Sequence, residues 1–392
     1  MLAGSNRRPV STTYAQRTGV HDSAPASARH VVAAPTLATA FDPRNNALNV
    51  MRLFLAGLVA VAHASFLGFG RQPHLGATEL GALAVDAFFV LSGFLVARSY
   101  QRLSSFTRYA WHRALRILPG FWVCMLVTTF LVAPLIAVIN GRSATSVFSG
   151  QDSAISYLTA NAALLMRQFG ISGLPGTGGN PDVINGSLWT LFYEALCYGM
   201  VAVLGLLGVL KRRPGIVLAL IAALWACTIC AAVGFNPLGS TYMLRFAFVF
   251  LLGTAGLLFA DRIPITSVLA LASLATAVAS LLLFHDYRVA GAPAFAYLCL
   301  YGMVRLPVRW EPRWDLSYGM YVWHWPIAQT LVALGLSDLT HVPFTGLTLG
   351  LTAVISAVSW NFVEKPAMGF KDAGWVTPTG RRAGRHSPAY RS

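Results

Sequence analysis

Charge is what this sequence has least of. Only 11% of its 392 residues are charged, under half the share of about 25% usual in a soluble domain. That shortage excludes a water-facing surface over most of the chain. The five cysteines (Cys124, Cys197, Cys227, Cys230 and Cys299) all fall inside apolar runs, so no disulfide framework is implied. Cys227 and Cys230 have C-x-x-C spacing, but no second pair or neighbouring His completes a zinc site. They read as small apolar residues packing between helices, and no metal site is expected. No signal-peptide core precedes the first apolar segment, which is long and flanked by Arg. The Gly-rich stretch Gly173-Leu-Pro-Gly-Thr-Gly-Gly-Asn180 lacks the Gly-Lys-Ser/Thr of a phosphate loop and reads as a flexible connection.

What is present is apolar length. Hydrophobic residues make up 56% of the chain, and the mean hydropathy is +0.59. Runs of about 18 or more apolar residues read as membrane helices, since ~20 residues cross the hydrocarbon core. Ten candidate spans stand out, at 48–68, 80–98, 117–139, 187–210, 215–233, 241–259, 264–284, 291–305, 315–336 and 344–362, the eighth being the shortest. The expected fold is an all-α, polytopic transmembrane bundle spanning residues 47–366. Residues 1–46 are rich in Ala, Ser, Thr, Pro and Arg and read as a disordered tail, as does the basic segment 367–392.

The net charge of +15 comes from 29 Lys and Arg against 14 Asp and Glu. Nucleic-acid binding would need those cations on one soluble face; here they sit between apolar runs, as topology signals. With both termini in the cytoplasm, the inside segments hold 23 of the 29 Lys and Arg, and the loop 140–186 faces outward.

A charge inside the bilayer costs about 2.5–3.5 kcal/mol on insertion scales, so each one is a functional candidate. These are Arg52, His63, Asp86, Glu194, Arg245 and His324, with Arg113 and Arg116 at a cytoplasmic edge. Arg52 and His63 lie within ~20° of each other around one helix and about 16 Å apart along it. One helix thus offers a cation near the boundary and an imidazole deeper in. That pattern suits a donor with a phosphate-bearing head and a thin arm ending in a reactive group. His63, Asp86 and Glu194 fall at similar depth, which fits a general base whose imidazole is oriented and charge-balanced by carboxylates. The competing reading is a structural ion cluster around a satisfied His. Arg113 and Arg116 form an i, i+3 pair ahead of Pro119, suited to phosphate but also explained by positive-inside bias.

Taken in order, these residues resemble the acyltransferase 3 family of integral membrane O-acyltransferases. Arg52-x10-His63 is similar to the first-helix motif, and Val85-Asp86 followed by Phe88-Phe-Val-Leu-Ser-Gly-Phe94 to the second-helix signature. Arg113-Ala-Leu-Arg116-Ile-Leu-Pro119 resembles the R-x-x-R motif, and Ser187-Leu-Trp-Thr-Leu-Phe-Tyr-Glu194 the W-x-L-x-x-E segment. Ser317-Tyr-Gly-Met-Tyr-Val-Trp-His324-Trp-Pro326 and Glu364-Lys-Pro366 resemble the late motifs. Ala62 and Gly120-Phe121 depart from the usual residues without touching the candidate chemistry. No secreted hydrolase-like domain is expected after the last span.

The resemblance implies transfer of an acyl group, most often acetyl, from acyl-coenzyme A to a hydroxyl of a carbohydrate or glycolipid. Acyl-coenzyme A is then a donor substrate, with no permanently bound cofactor, and a bacterial cytoplasmic membrane is the expected location. Arg113 and Arg116, with Arg52, would hold its phosphates. His63 would act as base or acyl relay, with Asp86 and Glu194 in support; Tyr318 and His324 are substrate-site candidates. A transporter or flippase using the same charges as a pathway is the competing class, which inverted repeats would favour. None is apparent in the sequence.

Overall fold

The computed structural model describes residues 34–103, 105–235, 239–308 and 314–373. Among them, a helix stands at each of the ten apolar stretches. In chain order these are α1 (Leu48–Phe69), α2 (Leu80–Arg102), α3 (Phe106–Ile139), α4 (Thr190–Leu206), α5 (Gly215–Ala232), α6 (Thr241–Leu258), α7 (Ser267–Phe284), α8 (Ala292–Arg305), α9 (Ser317–Ala333) and α10 (His341–Asp372). Seven of the ten, all but α4, α8 and α9, are long and apolar enough to cross a membrane. At 17, 14 and 17 residues, α4, α8 and α9 are shorter than the other seven, which have 18 or more. The strands among the described residues form a single hairpin, β1 (His74–Leu75) with β2 (Thr78–Glu79), pairing His74 with Glu79 and Leu75 with Thr78.

The bundle closes where side chains are smallest. A Cβ on Gly93 of α2 would lie 2.0 Å from the Phe250 carbonyl oxygen, and one on Gly253 of α6 would lie 1.9 Å from that of Val90. Two glycines therefore let two backbones touch, the usual way membrane helices gain packing without a hydrophobic driving force. On α10, Thr348, Thr352 and Ser356 are fully buried, each hydroxyl returned to the carbonyl four residues earlier at 2.9, 2.6 and 2.6 Å. Ser356 meets Gly319 of α9. By contrast α5 and α7 turn large apolar side chains outward, Leu218 46% exposed on the first and Leu282 71% on the second. Such a face is explained by lipid contact.

Backbone contact at Gly253 makes even one methyl intolerable. Gly253→Ala is expected to abolish most of the monodisperse, detergent-purified protein, because a backbone carbonyl, unlike a side chain, cannot rotate away. Gly199→Ala on α4, with nothing within 4 Å of the new Cβ, should leave that yield unchanged.

Three sequence expectations change. α3 begins at Phe106, where Ser105 caps it by accepting from the Arg108 amide, and carries Pro119 in its interior instead of starting there. The last part of the expected N-terminal tail is packed: Leu37–Ala40 is a short helix with Leu37 buried, and Leu37 N donates to Ile263 O at 2.8 Å. Most of that tail, and residues 374–392 of the other, lie outside the described residues, although α10 carries helix to Asp372, which pairs with Arg108 at 2.9 Å. The Gly-rich connection is seated, not loose. Gly179 N donates to Leu67 O at 2.9 Å, and a Cβ on Gly179 would sit 2.0 Å from Phe66 O. Glycine is needed here so that the loop can lie against the end of α1.

Candidate active site

A cavity of about 110 Å³ lies between α2, α3, α4 and α9, with Arg52 of α1 at its edge. Its cationic end is built from Arg52, Arg113 and Arg116. The latter two stand three residues apart, which places both on one face of α3. Asp315 ties this end together. Its Oδ2 meets Arg116 Nη2 at 2.9 Å and Arg52 Nη1 at 3.5 Å. Its Oδ1 accepts from Ser317 Oγ at 2.7 Å and Ser317 N at 3.3 Å, anchoring the start of α9. One carboxylate therefore links α1, α3 and α9 and keeps two like charges together.

Glu194 shares this cavity and accepts from Tyr198 Oη at 2.5 Å. The Arg113 guanidinium lies 5.6 Å from the Tyr198 ring centre, and Arg116 lies 5.9 Å from that of Tyr318. Tyr318 donates its hydroxyl to Ile117 O at 2.6 Å. Glu364 is buried behind it, accepting a hydrogen bond from Ser359 Oγ at 2.8 Å, and Gly120 leaves the room that Tyr318 and Glu364 fill.

Away from the cations the walls become apolar. Val85, Phe88, Ser92 and Val96 form a stripe along α2. At the far end Thr190 of α4 and Tyr321 of α9 bond hydroxyl to hydroxyl across the cavity. His324, one turn further along α9, stands behind Tyr321 with ring centres 6.2 Å apart.

His324 is fully buried and paired with His63 of α1, His63 Nδ1 to His324 Nε2 being 2.7 Å. Trp325 meets the His63 ring edge-on at 4.8 Å. The bonding fixes the tautomers. His324 Nδ1 is 2.9 Å from Met320 O, a carbonyl that can only accept, so Nδ1 carries the proton. Nε2 of neutral His324 is then an acceptor, and His63 Nδ1 must donate to it. The lone pair left over is on His63 Nε2. A ring held in one tautomer with a free basic nitrogen is the equipment of a general base.

The carboxylates expected beside His63 are elsewhere. Asp86 is fully buried but faces α6: Arg245 Nε is 2.7 Å from one oxygen, and Arg288 Nη2 and Tyr287 Oη are 2.8 and 2.5 Å from the other. Burial would lower the Arg288 guanidinium, yet Asp86 outweighs it and holds the group above its ordinary value. This is a satisfied ion cluster. Glu194 reaches the cationic cavity, not the imidazole. The reason is azimuth: a residue of matching depth points wherever its helix turns it, at about 100° per residue. Thus Arg52, Arg113, Arg116, Glu194 and Tyr318 come together around one cavity, and His63 joins His324. Asp315, Tyr321 and Thr190 were missed. Asp315-Leu-Ser317 before an apolar run is an ordinary helix-start signal, and nothing in it shows that the free oxygen will reach two other helices.

The family description "acyltransferase domain" of acyltransferase 3 matches residues 45–362, most of the chain. The chain belongs to the acyltransferase 3 family. Among curated proteins it is 27% identical over 345 residues to an "O-acetyl transferase" of Shigella phage Sf6, covering 82% of this chain and 96% of that one. It is 28% identical over 357 residues to "Nodulation protein 10" of Rhizobium leguminosarum bv. viciae, with 83% and 93% covered. A "putative membrane-bound transacylase BcsY" of Komagataeibacter xylinus is 25% identical over 369 residues, 88% of each chain. No solved structure matches significantly. With its apolar helices, this acyltransferase 3 protein is an integral membrane O-acyltransferase.

Proposed function

We propose that the protein transfers an acyl group, most often acetyl, from acyl-coenzyme A to a hydroxyl of a carbohydrate or glycolipid acceptor. The observation that carries this reading is the cavity itself, which begins at three guanidiniums and ends one helical turn from an imidazole pair. Phosphates are bound well by guanidinium forks in a fixed array, and the apolar walls suit a thin pantetheine arm. The reading places the Arg52 end in the cytoplasm, where acyl-coenzyme A is found, and the His63 end toward the outside of a bacterial inner membrane. It counts all ten helices as spans, with residues 47–366 as the catalytic domain and both termini in the cytoplasm. The basic-residue asymmetry supports that orientation.

In the transfer step His63 Nε2 takes the proton of the acceptor hydroxyl as its oxygen bonds to the acyl carbon. The carbon–sulfur bond then breaks, and the departing thiolate takes that proton from the imidazolium. His324 keeps the tautomer throughout. Asp86 is assigned to the fold, and Glu194 with Asp315 to balancing the arginines.

Thiol release from acetyl-coenzyme A by purified protein, with and without a glycolipid extract, tests the reading. Release that depends on the extract supports it. A protein that binds no acetyl-coenzyme A returns the case to a transporter. His324→Ala should lower transfer by less than the ~10²–10⁴ attributable to the base itself. His324→Gln, whose side-chain oxygen can still accept from His63 Nδ1, should restore part of the loss. Equal loss in both variants would show that His324 does more than hold the tautomer.

A further inference from the structure

The fixed tautomer gives His63 a direction, and its basic nitrogen points to residues outside the donor cavity. His63 Nε2 faces Gly81, near the start of α2: a Cβ built there would lie 3.8 Å from Nε2, 3.2 Å from Gln72 Nε2 and 3.3 Å from Ala62 Cβ. The missing side chain leaves only a shallow notch, tighter than a methyl group needs, before the basic nitrogen. Gln72 Nε2 forms another wall and donates to Glu79 Oε2 at 3.0 Å. Glu79 occupies the cap position of α2, yet its side chain makes no capping bond. It is turned to Gln72 instead.

Gly81 lies on the α2 face that lines the donor cavity, one turn beyond it. Gly81, Val85, Phe88 and Ser92 fall at i, i+4, i+7 and i+11, one face of α2, and the last three line the cavity. From Val85 to Gly81 is one turn, about 6 Å. A thioester carried along that stripe would arrive beside the notch.

We propose that the Gly81 notch, with Gln72 and Glu79, is the acceptor subsite, and that it takes a hydroxyl of a neutral sugar. The reactive hydroxyl lies over the notch, against the Gln72 amide, and gives its proton to His63 Nε2. An amide and a carboxylate side by side offer N–H donors and oxygen acceptors, a match for a neighbouring hydroxyl, which both donates and accepts. The carboxylate disfavours an anionic group at the same place. This rests on the acyl-transfer reading above and locates its acceptor.

The test uses membranes containing the full chain, fed labelled acetyl-coenzyme A, with label counted in the alkali-labile carbohydrate fraction. Gly81→Val fills the notch, while Gln72→Ala and Glu79→Gln alter its rim without adding bulk. All three should lower carbohydrate labelling at least tenfold, and the affinity of the purified proteins for acetyl-coenzyme A should stay at the wild-type value. Wild-type labelling by Gln72→Ala and Glu79→Gln overturns the subsite while leaving the acyl-transfer reading intact. No label in carbohydrate from the wild type sinks that reading, and the subsite with it.

Discussion

His63→Ala is expected to lower the specific rate of acyl transfer by about 10²–10⁴, the usual worth of a general base. The loss falls on the rate and not on the donor. The imidazole lies beyond the end of the cavity opposite Arg52, Arg113 and Arg116, so acetyl-coenzyme A affinity should be retained. A purely structural His63 would behave otherwise. It also packs against Trp325 and holds the buried His324, so its removal would lower the folded yield while the surviving protein kept its activity. Amount and activity therefore have to be separated, by normalising to the monodisperse peak of detergent-purified protein. Retention of more than about a tenth of the wild-type rate would remove the base assignment.

The second large effect is expected at the other end. In Arg113→Ala/Arg116→Ala the donor dissociation constant should rise about 10²–10⁴-fold, taking one hydrogen bond of ~1.5–3 kcal/mol to a charged group from each arginine. Arg116→Lys should show part of this loss, because an ammonium keeps the charge but not the planar fork. The double variant also frees Asp315 from its 2.9 Å partner, leaving a carboxylate near the phosphate position. Asp315→Asn in the same background should recover some affinity by removing that repulsion. Calorimetric titration with coenzyme A reads all three. Wild-type affinity in the double variant would leave these arginines as topology signals only.

Much of this was legible in the sequence, for reasons that also mark its limits. Apolar run length reports helices directly, and a helix stands at every expected stretch. The Arg52 and His63 spacing reports a shared face because both lie on one helix, where angle and rise are fixed by geometry. Matching depth on different helices carries no such guarantee. Asp86 is one residue from Val85, which lines the cavity, and that single step of about 100° turns it to Arg245 and Arg288. His324 was noticed, but its partnership with His63 needs α1 and α9 to be neighbours, which 261 residues of separation do not reveal. Gly81 was invisible for a simpler reason. A glycine in an apolar run looks like packing until the neighbouring nitrogen is known.

In the proposed transfer an acyl group enters at the arginine end and leaves at the imidazole end. Inside-out membrane vesicles test it most directly, since the cytoplasmic face is then outside and accessible to added donor. Labelled acetyl-coenzyme A supplied outside sealed vesicles should place label on carbohydrate in the lumen, with no label there from His63→Ala vesicles. Luminal labelling that persists in His63→Ala, or label on carbohydrate only when the donor is loaded into the lumen, would contradict the account.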